Sequence, residues 1–162
     1  MPTTITPNLW FDDNAEEAAN FYVSLFPNSR ITAKTPYTDA GPGTPGDTMT
    51  VAFELDGNRF VGINGGDEGW KFNEAISFSI GCQTGEELDH YWDSLTEGGE
   101  EMPCGWVRDR FGLVWQVVPA GIEELFADPD SERATRAMKA MYGMKKLDID
   151  ELRRAADAVP AA

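Results

Sequence analysis

Within the first 119 residues one order of elements is written twice, and that repetition constrains the fold more than any single motif. In the first pass Ile5 to Phe11 reads as a strand that runs into the turn residues Asp12 and Asp13. Asn14 is the expected N-cap of a helix, with Glu17 three residues on. Ala15, Ala18, Ala19, Tyr22, Leu25 and Phe26 form that helix's apolar stripe until Pro27-Asn28 stops it. Arg30 to Tyr37 reads as a second strand. Thr38 to Asp47, with three glycines and two prolines, reads as a loop. Thr48 to Leu55 and Asn58 to Asn64 then form a hairpin around Asp56-Gly57, a strong turn signal between two apolar runs.

The second pass begins about 70 residues later. Ala75 to Cys82 alternates as a strand, and Thr84 caps a helix with Glu87 at its third position. The stripe Leu88, Tyr91, Trp92 and Leu95 follows, and Gly98-Gly99 ends it. Short strands follow at Glu100 to Met102, Cys104 to Arg108 and Val114 to Val118. Residues 1–66 and 67–119 thus make two β-α-β-β-β modules, and 120–162 a helical extension, within a single compact domain. In the extension Ile122 to Phe126 is a short turn. Asp130 or Ser131 caps a helix bearing Ala134, Ala137, Met138 and Met141, and Asp148 caps the last, with Leu147 and Leu152 placed as a hydrophobic staple. Met138, Met141 and Met144 read as packing, with cover for a pocket mouth or a partner surface as the alternative.

Charge and cysteine usage exclude several classes of function. With 28 acidic against 13 basic residues the net charge is −15, which opposes binding to phosphate backbones or anionic membranes, so nucleic acid and membrane are not expected partners. No apolar run approaches the roughly 20 residues of a membrane span, and the amino terminus has no basic-then-apolar leader. A cytoplasmic protein is expected. Cys82 and Cys104 form neither a disulfide framework nor a Cys-x-x-Cys pair and read as reduced thiols.

The densest stretch is Cys104 to Pro119. Asp109 to Gly112 has turn chemistry, a reading favoured over a catalytic role for Asp109. Alternation then places Trp115 and Val117 on one face of a strand and Val114, Gln116 and Val118 on the other. A buried Gln116 must be hydrogen-bonded, so it is either a structural tie or the polar anchor of a pocket. Trp10, Trp106 and Trp115 read as core, with stacking on a flat ligand as the alternative. Cys104, with Arg108 close by, is the one candidate nucleophile, but no histidine of its segment can serve as its base.

Together with the order of elements, the segments Asn8-Leu9-Trp10-Phe11, Ala15-Glu16-Glu17-Ala18, Phe21-Tyr22, Asn64-Gly65-Gly66, Tyr91-Trp92, Gly98-Gly99, Cys104-Gly105-Trp106 and Asp109-x-x-Gly112-x-x-Trp115-Gln116 resemble the PhnB-like family. That family belongs to the vicinal oxygen chelate superfamily, with glyoxalase I, extradiol dioxygenases and bleomycin-resistance proteins, and the resemblance covers roughly residues 4–155. It implies an α+β fold in which two βαβββ modules form a curled mixed sheet around a cavity, plus C-terminal helices, and a homodimer. It also implies divalent-metal ligands near Thr6 or Asn8, near Asn64, near Ala75 or Ser77, and at Gln116. Amides and hydroxyls are weak ligands for such metals, and the lone histidine, His90, falls on a helix. The expected cofactor is therefore none, a divalent metal being disfavoured. Carboxylates such as Glu54 or Glu74 are what a metal-dependent lyase, isomerase or dioxygenase would use instead. Some relatives carry the label 3-demethylubiquinone 3-methyltransferase, yet the glycines at 41–46 and 62–66 lie between strands and not in the strand-to-helix turn that a methyl-donor nucleotide needs. The leading expectation is a small-molecule-binding protein, with Asn8, Trp10, Asn64, Ser77, Trp106 and Gln116 as ligand contacts.

Overall fold

The structure, a computed structural model, describes residues 3–158; residues 1–2 and 159–162, at the ends of the ranges above, lie outside the described residues. The elements follow in the expected order: β1 (Asn8–Phe11), α1 (Ala15–Leu25), β2 (Arg30–Pro36), β3 (Thr48–Leu55), β4 (Asn58–Asn64), β5 (Phe78–Cys82), α2 (Gly85–Thr96), β6 (Glu100–Glu101), β7 (Trp106–Arg108), β8 (Val114–Pro119), α3 (Ile122–Phe126), α4 (Ser131–Met141) and α5 (Ile149–Asp157). Two compact units result, one ending at Trp70 and the other beginning at Lys71, so the C-terminal helices belong with the second module.

In the first unit the strand order is β1-β4-β3-β2, with β1 parallel to β4 and the other neighbours antiparallel. The β3–β4 hairpin turns on Asp56 (φ 43°) and Gly57 (φ 80°), the two positive φ values that match a hairpin's own twist. Its register places Val51, Phe53, Phe60 and Gly62 on the face that also carries Leu9 and Phe11. The buried stripe of α1 (Ala15, Ala18, Ala19 and Tyr22) packs there. Gly62 makes the close approach possible, because a Cβ at that position would sit 3.1 Å from the Ala15 methyl.

The second unit repeats the topology as β5-β8-β7-β6. Trp115 and Val117 stand opposite Phe78 and Ile80 on one side, and Val107 faces Trp115 on the other. Leu88, Trp92 and Leu95 of α2 are buried, and α2 contacts β7, β8 and β5. Beyond β8, Ile122, Leu125, Ala137, Leu147, Leu152 and Ala156 form a separate small core, against which Val118, Met141 and Met144 pack. Two of the three methionines are thus packing residues, while Met138 stays 37% exposed. Asp130 and Asp148 cap α4 and α5, each accepting from two backbone N–H groups, and the staple leucines Leu147 and Leu152 are both buried. The extension is fastened to the sheet at the start of β7: Cys104 N donates to Met144 O (2.8 Å) and Gly105 N to Lys145 O (2.7 Å).

Three local expectations need correction. β1 starts at Asn8 and not at Ile5, which is 92% exposed; Pro7 has no N–H to give to a ladder, and its carbonyl accepts the first bond from Val61 N. β5 starts at Phe78 and not at Ala75, because Ala75 N is taken by the Asn73 side chain in a turn. Asn14 occupies the N-cap of α1 without capping it through its side chain; that bond comes from Asn64 at the end of β4.

Candidate functional site

On the face of the second sheet turned away from α2, alternation brings Trp106 and Arg108 of β7 beside Gln116 of β8, with Trp106 and Gln116 directly opposite each other. Side chains so paired have Cβ atoms roughly 5 Å apart. Ser77, just before β5, joins them: Gln116 Nε2 donates to Ser77 Oγ at 2.8 Å. Ser77, Trp106 and Gln116 are all half-buried. Three of the six expected ligand contacts therefore form one cluster. Beyond that single bond, the Gln116 oxygen, the Ser77 hydroxyl proton and the Trp106 indole N–H have no side-chain or backbone partner among the described residues. The arrangement offers an aromatic surface edged by one uncommitted acceptor and two uncommitted donors.

Arg108 completes that face and was missed as a site residue. Its guanidinium is gripped by Glu100, 2.6 Å away and directly opposite it across β6–β7, and by Glu74 from the segment before β5. The opposed charges of Glu100 and Arg108 on a short hairpin were the available signal. Glu74 was not readable, since it arrives from 34 residues away.

The remaining expected contacts lie elsewhere. Asn8 and Trp10 share the face of the first sheet turned away from α1, but the Trp10 indole is already engaged. Its Nε1 donates to Gly66 O (3.0 Å), and its ring meets Trp70 edge-on at 4.8 Å between centroids. It also lies so close over Gly65 that any Cβ there would overlap it. Asn8 is exposed and donates to Thr6 O. Asn64 lies in register with Phe11, on the helix side of the sheet, and its amide is committed at both ends: Oδ1 accepts from Ala15 N (2.8 Å) and Nδ2 donates to Thr48 O (2.9 Å). Cys104 has φ 62° and is half-buried, with its thiol facing Met141 O at 3.7 Å. No base stands beside it in these contacts. Trp115 is core: its indole donates to buried Asp109 at 2.8 Å.

The donors do not fit a divalent metal. Among the described residues no three His, Cys, Asp or Glu side chains gather to hold one. Glu54 is engaged by Arg30 (3.0 Å) and Glu74 by Arg108, while His90 is exposed on α2. Two further clefts exist. One of about 560 Å³ in the first unit is lined by Asp12, Asp13, Glu16 and Asp47 with the loop at 42–44. There the hydrogen bond from Lys34 holds the Glu16 carboxyl below its usual range. The other, about 540 Å³ in the second unit, lies between the start of α2 and residues 146–150, with Cys82 in its lining.

The comparisons place this geometry among known proteins. The profile of a family described as 3-demethylubiquinone-9 3-methyltransferase matches residues 3–118. A PhnB protein of Bacillus cereus that carries the same methyltransferase description is 33% identical, with a TM-score of 0.65, covering 73% of this chain and all of that one. A Pseudomonas aeruginosa protein is 23% identical (TM-score 0.60, 73% of this chain and 98% of the other). The fosfomycin resistance protein FosX of Listeria monocytogenes, at 16% identity and a TM-score of 0.51, covers 76% of this chain and 98% of its own, and shares the fold alone. No curated protein sequence matches the chain. The fold is the glyoxalase/bleomycin resistance/dioxygenase type, and α3 to α5 lie beyond the stretch matched by the family profile. On both the profile match and the Bacillus relative, the chain belongs to the PhnB-like family that bears the 3-demethylubiquinone-9 3-methyltransferase description.

Proposed function

We propose that this protein binds a small molecule at Ser77, Trp106 and Gln116 without the help of a metal. The observation that carries the reading is the pairing of Trp106 with Gln116: an indole and a carboxamide side by side, each with a polar group that no side chain or backbone group among the described residues uses. Unpaired polar groups next to an aromatic surface are what a pocket keeps for a ligand. Asn8 and Trp10 are the equivalent contact region of the first unit in the same reading.

Support for the metal-free part comes from the donor chemistry. Gln116 offers an amide oxygen, a weak ligand for such metals without imidazole or carboxylate beside it, and both spare carboxylates, Glu54 and Glu74, are held by arginines. Methyl transfer finds no support in the loops. The strand-to-helix turns at 12–14 and 83–84 contain no glycine, and Gly121, in the turn at 120–121, leads only into the five-residue α3, so none matches the glycine-rich turn of a methyl-donor nucleotide site. A homodimer belongs to the same proposal. Ile5, Trp70, Ile76 and Tyr142 are large apolar side chains that one chain leaves exposed and a partner would cover.

A thermal-shift screen of neutral and charged aromatic compounds, followed by titration of the hits against Trp106→Ala and Gln116→Leu, tests the site. Both variants are expected to keep their fold and to lose binding roughly tenfold or more. Hits that bind both variants as they bind the parent would refute it. Stoichiometric transition metal in protein purified without chelators would remove the metal-free part, and a monomeric mass by light scattering at micromolar concentration the dimer.

A further inference from the structure

We infer that the site at Ser77, Trp106 and Gln116 selects uncharged, amide-like ligands and turns away anions, and that Arg108 sets this selectivity because Glu74 and Glu100 hold its charge. The inference rests on the binding reading above and adds the class of ligand.

The argument starts with the guanidinium. Arg108 lies on the same sheet face as Trp106 and Gln116, opposite Val114 and one diagonal step from Gln116, so an arginine stands where a phosphate or carboxylate would be expected to dock. Its two terminal nitrogens are already taken, one by Glu100 at 2.6 Å and the other by Glu74. The fork that would grip an oxyanion is thus filled by carboxylates of the chain itself. One cation against two anions leaves the triad with a net charge of −1, so an approaching anion meets repulsion. The chain's overall charge of −15 has the same sign.

The neutral groups of the site give the complementary half. Gln116 holds Ser77 through one amide hydrogen, which fixes the carboxamide plane and leaves its oxygen as an acceptor. The Ser77 hydroxyl and the Trp106 indole supply donors. If the amide is turned about, the serine donates to it and an N–H₂ replaces the free oxygen, so the cluster still presents donor and acceptor together. A carboxamide, lactam or pyrimidinone edge carries the same pair in reverse, and its flat ring matches the indole surface. A carboxylate has acceptors only and leaves the Gln116 oxygen facing another oxygen.

Nicotinamide and nicotinate are suitable probes, since they have the same ring and differ in the amide against the carboxylate. Their effect is read on the Trp106 indole and Gln116 side-chain amide cross-peaks in ¹H–¹⁵N spectra of the full chain, assigned with Trp106→Phe and Gln116→Leu. In the parent protein nicotinamide is expected to move both peaks and nicotinate neither. In the double variant Glu74→Gln, Glu100→Gln the guanidinium is released, and the affinity ratio of nicotinate to nicotinamide is expected to rise roughly tenfold, as for a new charge-assisted pair. The two single variants alter solvent-facing carboxylates and are expected to fall between. Equal binding of both probes by the parent, or an unchanged ratio in the double variant, would overturn the selectivity while leaving the site in place. If neither probe moves either peak, the site itself falls.

Discussion

Asp109 is a buried carboxylate with every oxygen in use. Oδ1 accepts from Phe111 N (2.9 Å) and Leu113 N (3.0 Å), closing the turn with Gly112 at φ 89°, and Oδ2 accepts from the Trp115 indole (2.8 Å). Replacing it with alanine leaves three donors without an acceptor, so Asp109→Ala is expected to cost about 2–4 kcal/mol in urea unfolding. Asp109→Asn, which can still satisfy two of them, should cost less. Its turn role was readable from the Asp-x-x-Gly spacing. The indole bond was not, because it depends on which way Trp115 faces. Cys82 belongs to the same scale. Burial, helped by the nearby Glu87 charge, pushes its thiol from an ordinary value near 9 up to about 11. Between those values the unfolded thiol ionises while the folded one keeps its proton, so the unfolded state is favoured as pH rises. Below pH 9 the contribution is fully present. Parent protein is therefore expected to lose on the order of 2 kcal/mol more than Cys82→Ala between about pH 9 and 11, read as the difference of their unfolding free energies across that range.

The first helix shows what an element needs from outside itself. Asn14 sits at the right place in sequence, yet the side chain that satisfies the first turn of α1 is Asn64, 49 residues away, which also ties the start of β3 through Thr48. Asn64→Ala is accordingly expected to destabilise the protein by about 1–3 kcal/mol, the sum of a lost cap and a lost strand tie. Asn14→Ala should stay within about 0.5 kcal/mol. Equal losses in the two variants, measured by chemical denaturation, would contradict the assignment. Helices and hairpins were otherwise legible, since their signals are local: the Asp-Gly turn, the Thr84 cap with its bond from Glu87 N, and stripes at helical spacing. Strand starts were less legible. Ile5 and Ala75 have acceptable residues around them, and only the position of the partner strand shows that no ladder reaches them.

At the scale of the whole molecule the chain is longer than its family's shared part, and the extra helices are not an ornament. The family profile stops at residue 118, whereas α3 to α5 build their own core on Val118, and the connection between α4 and α5 accepts two backbone hydrogen bonds from Cys104 and Gly105, just before β7. Gly105, at φ 80°, is fixed by this docking, since a Cβ there would lie 2.8 Å from Leu147 and 2.9 Å from Val117 O. A chain cut after Pro119 has the length of its relatives but exposes this surface. It is expected to unfold at lower urea concentration than the full chain, by roughly 2–4 kcal/mol, and to aggregate more readily. A cut chain as stable as the full one would show that the extension is dispensable.

By itself, the amino-acid sequence determined the two repeated β-α-β-β-β modules, the helical extension and the family, because periodicity, caps and turn residues act over a few neighbouring positions and are written where they act. Tertiary structure decided which polar side chains keep an uncommitted group. Asn64 was withdrawn from the candidates by a helix end that needed an acceptor, and Cys104 was set against a backbone carbonyl by the docked extension. Ser77 and Gln116 were joined, and Arg108 was neutralised by a glutamate from a distant segment. Each of these depends on contacts across tens of residues, and a one-residue slip in register would turn the strand residues Asn64, Arg108 and Gln116 to the opposite face.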